Sequence, residues 1–168
     1  VYEIPEGTKT SKGRHIQNII NIDKDDEVKA YINVKTLKEA EYINNSYVVM
    51  CTRNGVFKKT LLEEYSRPRQ NGVNAINIRE DDMLLTAALI EDVEGEAPAN
   101  IMIGAYGGKT IRFPHNIVRT IGRTATGVKG IELDEGDYVI GMITVRQGQD
   151  VLVVSENGYG KRSDIDDY

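Results

Sequence analysis

The feature that most constrains the fold is a short template that recurs along the chain: an apolar run, a tight turn and a short basic strand. Its three copies are YVVMCTRNGVFKKT (47–60), NIMIGAYGGKTIRF (100–113) and DVLVVSENGYGKRS (150–163). Each turn contains a residue pair that accepts the positive φ angles of a tight β-hairpin, namely Asn54-Gly55, Gly107-Gly108 and Asn157-Gly158. The template therefore predicts three β-hairpins.

A second template follows the first, with a polar loop, a glycine, a strand, an acidic turn and another strand. Its anchoring glycines are Gly13, Gly72 and Gly127, which lie 59 and 55 residues apart. That period is about the length of one four-stranded propeller-type blade. We therefore predict an all-β chain, part of a single domain, with a short helical turn in KTLKEAEYINNS. Its repeat units are expected at about 1–34 (second half), 47–90, 100–145 and 150–168 (first half).

One stretch imitates a phosphate-binding loop. Gly108-Lys109-Thr110 supplies the ending of such a loop, but the earlier glycine of G-x-x-x-x-G-K-[ST] would have to occupy Ile103. The motif also needs a helix after the lysine, whereas Ile111, Phe113 and Pro114 are typical of a strand and its end. The stretch is therefore assigned to the second hairpin, and nucleotide binding here is excluded.

The distribution of charge is more informative than its sum. The net charge of −5 and the pI of about 5.1 disfavour nucleic-acid binding by bulk numbers alone. However, the stretch from Lys109 to Lys129 contains no acidic residue, so an acidic chain can still present a basic stripe. The single cysteine, Cys51, lies in an apolar run, which predicts a buried thiol and fits a reducing, cytoplasmic setting. No stretch approaches the length of a membrane span.

In their order and spacing, several motifs resemble the C-terminal domain family of the DNA gyrase A protein. They are TRNGVFKKT with YSRPRQNGVNAI, IRFP followed by GRTATGVKGI, and VVSENGYGKRS. The resemblance covers the whole chain. It implies a partial β-pinwheel, a propeller-like disc of four-stranded blades that exchange strands with their neighbours and bend duplex DNA around a basic rim. It also implies that this part of the enzyme is non-catalytic and needs no cofactor.

The rest of what the resemblance implies concerns a larger enzyme. In the family, the domain follows a breakage-reunion domain that carries the DNA-cleaving tyrosine, and it works with the gyrase B protein in an A2B2 assembly that uses ATP and Mg²⁺. The enzyme introduces negative supercoils in the bacterial cytoplasm, at the nucleoid. The family's gyrase box is not in this sequence, and a segment upstream of Val1 is its expected place. Two alternatives stay open: the C-terminal domain of the corresponding topoisomerase IV protein, and a propeller-like module that binds an acidic protein.

The candidate DNA-binding residues are cations at two kinds of position. Some follow the hairpin turns at recurring positions, and their recurrence favours a phosphate-contacting rim over a merely solvated strand face: Lys58, Lys59, Lys109, Arg112, Lys161 and Arg162. Others lie in or beside the glycine-bearing loops, where solubility alone is the competing explanation: Arg67, Arg69, Arg119, Arg123 and Lys129. Arg53, just before a turn, is equally suited to pair with Glu63 or Glu64.

No catalytic or metal-binding constellation is predicted. His15 and His115 are isolated in the sequence, and no cysteine or histidine cluster has metal-ligand spacing. Tyr159 follows a hairpin turn and lacks the arginine and carboxylate-bound metal that a topoisomerase nucleophile needs. The acidic turns also lack the calcium-loop pattern. The chain is therefore expected to bind DNA without cutting it.

Overall fold

The structure is a computed structural model that describes residues 7–18, 20, 22, 25–69 and 72–168. Strands dominate it, in the order Ser46–Thr52 (β1), Val56–Leu61 (β2), Leu84–Glu91 (β3), Asn100–Ala105 (β4), Thr110–Pro114 (β5), Val128–Lys129 (β6), Val139–Val145 (β7), Asp150–Val154 (β8) and Gly160–Asp164 (β9). One α-helix, Ala40–Asn44 (α1), occupies the connector where a helical turn is predicted. Short 3₁₀ turns span Ile16–Asn18, Leu62–Tyr65, His115–Ile117 and Ile165–Asp167. No helix within these described ranges is long and apolar enough to cross a membrane.

The three predicted hairpins are β1–β2, β4–β5 and β8–β9, all antiparallel. Their turns differ from the prediction, because only the glycines at 55, 108 and 158 have a positive φ, and the residue before each does not. In the first hairpin, the Gly55 N–H donates to the Thr52 carbonyl at 3.1 Å and closes a four-residue turn whose last residue is the left-handed glycine. This arrangement is the three-residue loop with a glycine bulge rather than a two-residue turn.

Strands are exchanged between repeat units. The first sheet has the order β3-β1-β2-β6, and its last strand comes from the following unit. Val128 of β6 pairs with Phe57 of β2, and Lys129 pairs with Val56. The second sheet has the order β5-β4-β7, and β8 and β9 form a two-stranded sheet. The implied exchange of strands is therefore present in the first blade.

The first strand of the second template is shorter than predicted or absent. In the 100–145 unit it is the two-residue β6, which pairs with the edge of β2. Its counterparts at Val73 and in the described part of the segment after Gly13 are not strands. Residues 1–6, 19, 21, 23 and 24 of the 1–34 unit lie outside the described residues. A strand forms here only where a neighbouring edge accepts its hydrogen bonds.

The core is layered between the sheets. Val49, Cys51 and Phe57 of the first sheet pack with Ile101 and Ile103 of the second in one buried cluster. The opposite face of the first sheet packs against α1 and residues 32–37, and the opposite face of the second packs on the third hairpin. Alternate residues of β1 and β4 thus pack into different hydrophobic clusters, because successive side chains of a strand point to opposite faces of the sheet. The predicted burial of Cys51 is confirmed, and burial raises the pKa of its thiol to about 12.

The acidic turns of the second template hold the hairpin tips. The Asp82 Oδ1 accepts the Asn54 N–H at 2.9 Å, and in the next unit the Asp137 Oδ1 accepts the Gly107 N–H at 2.9 Å. Both carboxylates also accept the N–H of the residue that follows them. These aspartates satisfy backbone donors that a turn would otherwise leave to solvent, which explains the recurrence of acidic residues at this point of the repeat.

Candidate nucleic-acid interface

Lys58 lies in the interior and not on a rim. The side chain on β2 is completely buried, and its ammonium donates to the Ala75 carbonyl at 2.7 Å and to the Arg123 carbonyl. Burial, and next the positive charge of Arg123, lower its pKa to about 8. The expected exposed position of Lys58 is therefore corrected. The segments around Ala75 and Arg123, from two repeat units, cover the lysine side chain. The sequence alone did not indicate this burial.

Lys59 points to the other side of β2 and is also enclosed. It is only 4% exposed, and its ammonium donates to the His115 carbonyl at 2.9 Å while lying 4.9 Å from the centre of the Tyr47 ring. Burial lowers the pKa of Lys59, and the Asp92 carboxylate opposes that effect. The expected rim position is corrected here as well, because the ammonium faces protein rather than solvent.

Arg112 repeats the contact of Lys59 one unit later. Each lies four residues after its turn glycine, and each donates to the backbone carbonyl that opens the 3₁₀ turn of the following unit. For Arg112 that acceptor is Ile165, and an ion pair with Asp166 at 3.2 Å adds to it. The recurrence that favoured a DNA-contacting rim is thus explained by a contact between successive units. Arg112 is half-buried and makes a contact between units, and its role in DNA binding stays a prediction.

Three other candidate cations are exposed but paired within the chain. Lys109 lies 3.0 Å from Asp134, Lys129 lies 2.8 Å from Glu132, and the guanidinium of Arg162 binds Asp150. The ammonium of Lys129 holds the pKa of Glu132 below its usual range. Exposed pairs of this kind contribute little free energy, so DNA phosphates can compete for the cations, but each exchange gives up an existing partner.

Four candidate cations are exposed, and their side chains make no hydrogen bond or ion pair within the described residues: Arg67, Arg69, Arg119 and Lys161. Arg67 and Arg69 line a cleft of about 370 Å³ together with Arg123 of the following unit. Glu63 and Glu64 lie on the same cleft, so it carries both signs of charge. The structure therefore brings together three of the predicted cations from two repeat units.

The cleft is lined by two loops, here called the arginine loops, which are held together by hydrogen bonds to backbone groups. We use that name for residues 67–77, without the undescribed 70 and 71, and for residues 119–127. The Arg123 guanidinium donates to the Asn74 carbonyl at 2.8 Å, and the Asn77 N–H donates to the Ala125 carbonyl at 3.2 Å. The Ile121 N–H donates to the Lys59 carbonyl at 3.0 Å. The second arginine loop thus lies against both β2 and the first arginine loop.

A second cleft is acidic. It has a volume of about 500 Å³, and its lining includes Glu39, Glu41, Glu91, Asp92 and Glu94. Because carboxylates repel phosphate, this cleft is unsuited to DNA. For Arg53, a pair with Glu63 or Glu64 was one open alternative, and its guanidinium carbon lies 4.2 Å from the centre of the Tyr138 ring. A cation near an aromatic face was not foreseen there, because Tyr138 is distant in sequence.

The described residues contain no group of three side chains suited to hold a metal ion. His115 is not isolated: it is completely buried, its Nε2 lies 2.8 Å from the Asp92 carboxylate, and its ring lies 5.7 Å from that of Tyr47. Burial lowers the pKa of His115, while Asp92 raises it and Lys59 lowers it further. The imidazole is therefore buried, whereas the Asp92 carboxylate is partly exposed at the acidic cleft. Tyr159 is exposed at the tip of the third hairpin.

Comparison with known proteins agrees with this architecture. The family described as "DNA gyrase C-terminal domain, beta-propeller" matches residues 1–42, 46–91, 100–146 and 149–168. The DNA gyrase A protein of Staphylococcus aureus (strain NCTC 8325 / PS 47) is 41% identical over 99% of this chain, which spans only 18% of that relative.

Two solved structures share the fold. The C-terminal domain of a DNA topoisomerase IV has a TM-score of 0.78 and 28% identity, over 93% of this chain and 46% of that one. A DNA gyrase A C-terminal domain has a TM-score of 0.75 and 25% identity, over 93% of this chain and 48% of that one. The matched family segments, the identity to gyrase A and the shared fold lead to one conclusion: this chain belongs to the DNA gyrase C-terminal domain family.

Proposed function

We propose that this chain is a non-catalytic part of a DNA-wrapping domain, which bends duplex DNA along a surface formed by the arginine loops. The observation that carries the proposal is the convergence of Arg67, Arg69 and Arg123 from two repeat units on one cleft. Family membership supports the same role. Arg119 and Lys161, which are exposed and without a partner in the described part of the chain, extend the proposed set of phosphate ligands.

The proposed mechanism is electrostatic and independent of sequence. Cations that bind phosphates release condensed counterions, and this release provides the affinity. Bending a short DNA site through a wide angle costs on the order of 1 to 6 kcal/mol, which several phosphate contacts together can offset. The unpaired cations contribute most, because Lys109, Lys129 and Arg162 first have to leave Asp134, Glu132 and Asp150. Lys58 and Lys59 are assigned no phosphate contact.

The wider context is part of the same proposal. The 41% identity to a gyrase A protein favours gyrase over topoisomerase IV, although a topoisomerase IV domain shares the fold equally well. In the intact enzyme, we infer, the wrapped DNA is presented to a breakage-reunion domain and passed with the help of the ATP- and Mg²⁺-dependent gyrase B protein in an A2B2 assembly. The product is negatively supercoiled DNA in the bacterial cytoplasm, at the nucleoid. The division into repeat units at 1–34, 47–90, 100–145 and 150–168 remains our proposal.

A salt titration of duplex binding tests this function. We expect two unrelated duplexes of equal length to bind with similar affinity, and the logarithm of the affinity to fall linearly with the logarithm of salt concentration. Fluorescence anisotropy measures both. Absence of binding at low salt would contradict the proposal and favour a module that binds an acidic protein. A strong preference for one duplex would contradict the phosphate mechanism.

A pair of matched triple variants tests the site. Replacing Arg67, Arg69 and Arg119 by glutamine removes three unpaired charges, and replacing Lys109, Lys129 and Arg162 by glutamine removes three paired ones. The first variant is expected to lower the salt slope by about 0.9 for each lost phosphate contact, and the second by much less. Equal slopes in the two variants would show that the arginine loops are not the binding surface.

A further inference from the structure

Lys58 is buried directly beneath the two arginine loops that form the proposed DNA-binding surface. It follows its turn glycine by three residues, as Lys161 does in the third hairpin, but Lys161 is exposed and Lys58 is not. The two carbonyls that accept from its ammonium belong to the two arginine loops, Ala75 to the first and Arg123 to the second. A single buried cation thus joins both loops to β2.

Other residues also connect Lys58 with the two arginine loops. The Tyr65 hydroxyl lies 3.4 Å from the Ala75 carbonyl that Lys58 also contacts, and the Arg123 guanidinium reaches back to the Asn74 carbonyl. Gly127 lies against Lys58 too, because a Cβ built there would come within 3.3 Å of the lysine Cβ. Losing the ammonium would remove the donor that the Ala75 and Arg123 carbonyls share, and the loops would be held to β2 less firmly, mainly by the bond from the Ile121 N–H to the Lys59 carbonyl.

We propose that Lys58 is a positioning residue for the surface that binds DNA: it holds the two arginine loops together and so determines DNA affinity without touching DNA. This inference rests on the proposed function of the arginine loops. It explains why a cation is kept at a completely buried position, where desolvation is costly. It also assigns Lys58 a different role from Lys161, which stands at the same repeat position but faces solvent.

The charge of Lys58 couples to DNA through Arg123. Burial and the Arg123 guanidinium lower the pKa of Lys58 to about 8, while the Glu64 carboxylate raises it. A phosphate bound at Arg123 offsets the repulsion between the two cations and therefore favours the protonated lysine. DNA binding is then accompanied by proton uptake above about pH 8, and affinity falls as the pH rises. Burial raises the pKa of Tyr65, which keeps that phenol neutral in this range.

The first experiment measures duplex affinity from pH 7 to 9.5 for the parent chain, Lys58→Met, Lys58→Arg and the matched control Lys161→Met. We expect Lys58→Met to weaken binding about tenfold and Lys161→Met at most about threefold, since the former releases several ligands and the latter removes one charge. Lys58→Arg retains the cation and is expected to retain most of the affinity. The parent should lose at least about threefold in affinity across this range, and both Lys58 variants should lose this dependence.

The second experiment does not depend on DNA. Amide hydrogen exchange in the absence of DNA is expected to be faster at Ile121 and Asn77 in Lys58→Met, with β4 unchanged. Unchanged exchange in a folded Lys58→Met variant would overturn the positioning role, as would parental affinity or an unchanged pH dependence in that variant. If exchange is faster in Lys58→Met but the parent chain does not bind DNA, the proposed function is wrong, although Lys58 still holds the two arginine loops together.

Discussion

At the scale of single residues, the same kind of side chain serves different purposes in successive units. The cation four residues after the turn glycine is Lys59 in the first hairpin, Arg112 in the second and Arg162 in the third. The first two donate to the carbonyl that opens the 3₁₀ turn of the following unit, at His115 and Ile165. Arg162 instead binds Asp150 of its own hairpin. The neighbouring unit therefore decides whether such a cation stabilises the fold or stays on the surface.

His115 provides a prediction at this scale. Because burial lowers its pKa, the unfolded chain binds more protons than the folded chain below about pH 6.5, so stability is expected to fall on acidification. His115→Gln should cost about 1 to 2 kcal/mol at pH 7.5, since packing around a buried ring is lost, but should flatten this pH dependence.

Thermal unfolding between pH 7.5 and 5.5 measures both effects of the histidine. The matched control is His15→Gln, because His15 is the other histidine of the chain and is exposed. We expect the control to keep the parental pH dependence and the parental stability. A parental pH dependence in His115→Gln would assign the acid sensitivity to carboxylates instead.

At the scale of elements, the exchanged strand β6 depends on two glycines beside it. A Cβ on Gly127 would lie 2.7 Å from the Phe57 carbonyl oxygen, and one on Gly130 would lie 2.6 Å from the Phe57 Cβ. Gly127 also has a φ of +118°, which side-chain-bearing residues rarely adopt. The glycine that marks the repeat in the sequence is therefore a position at which one unit's chain closely approaches the preceding unit.

Gly127→Ala is expected to destabilise the fold by about 3 kcal/mol, because it adds a backbone clash to the conformational strain. The control is Gly72→Ala at the same repeat position, where φ is +74° and a Cβ meets nothing within 4 Å. That variant should lose about 1 kcal/mol from strain alone. Urea unfolding of both variants measures the difference, and equal losses would show that the close approach of β6 adds nothing.

At the scale of the whole molecule, charge is divided between two clefts. One is lined by three arginines and two glutamates, and the other by five carboxylates and one lysine. A net charge of −5 is thus compatible with a local attraction for phosphate and with repulsion elsewhere, which directs DNA to one part of the surface.

The chain alone is expected neither to cleave nor to supercoil DNA, because the family to which it belongs is a propeller-type C-terminal domain. Gel electrophoresis of closed circular DNA incubated with the chain, Mg²⁺ and ATP measures this. Nicked, linear or supercoiled product in the presence of the chain, when Tyr159→Phe gives none, would place catalysis in this part of the enzyme.

The elements that depend on local interactions could be predicted from the order of residues. Hairpins, their turn glycines and the acidic turns belong to this group, because a strand-turn-strand pattern is set by residues close together in the chain. The repeat period indicated the blade architecture, and the order of motifs indicated the family. The predicted turn type was wrong. Only the glycine of each turn pair has a positive φ, which gives a hairpin loop with a bulge instead of a two-residue turn.

Which cations are available to DNA depends instead on how the repeat units pack. Lys58 and Lys161 have the same position in the repeat. The second arginine loop, from the following unit, covers Lys58, whereas Lys161 is exposed. Likewise, β6 forms a strand by pairing with the edge of β2, whereas the corresponding Val73 is not part of a strand. Burial and strand exchange depend on which unit packs beside a residue, and that information is distributed over some 50 residues of sequence rather than held in the local motif.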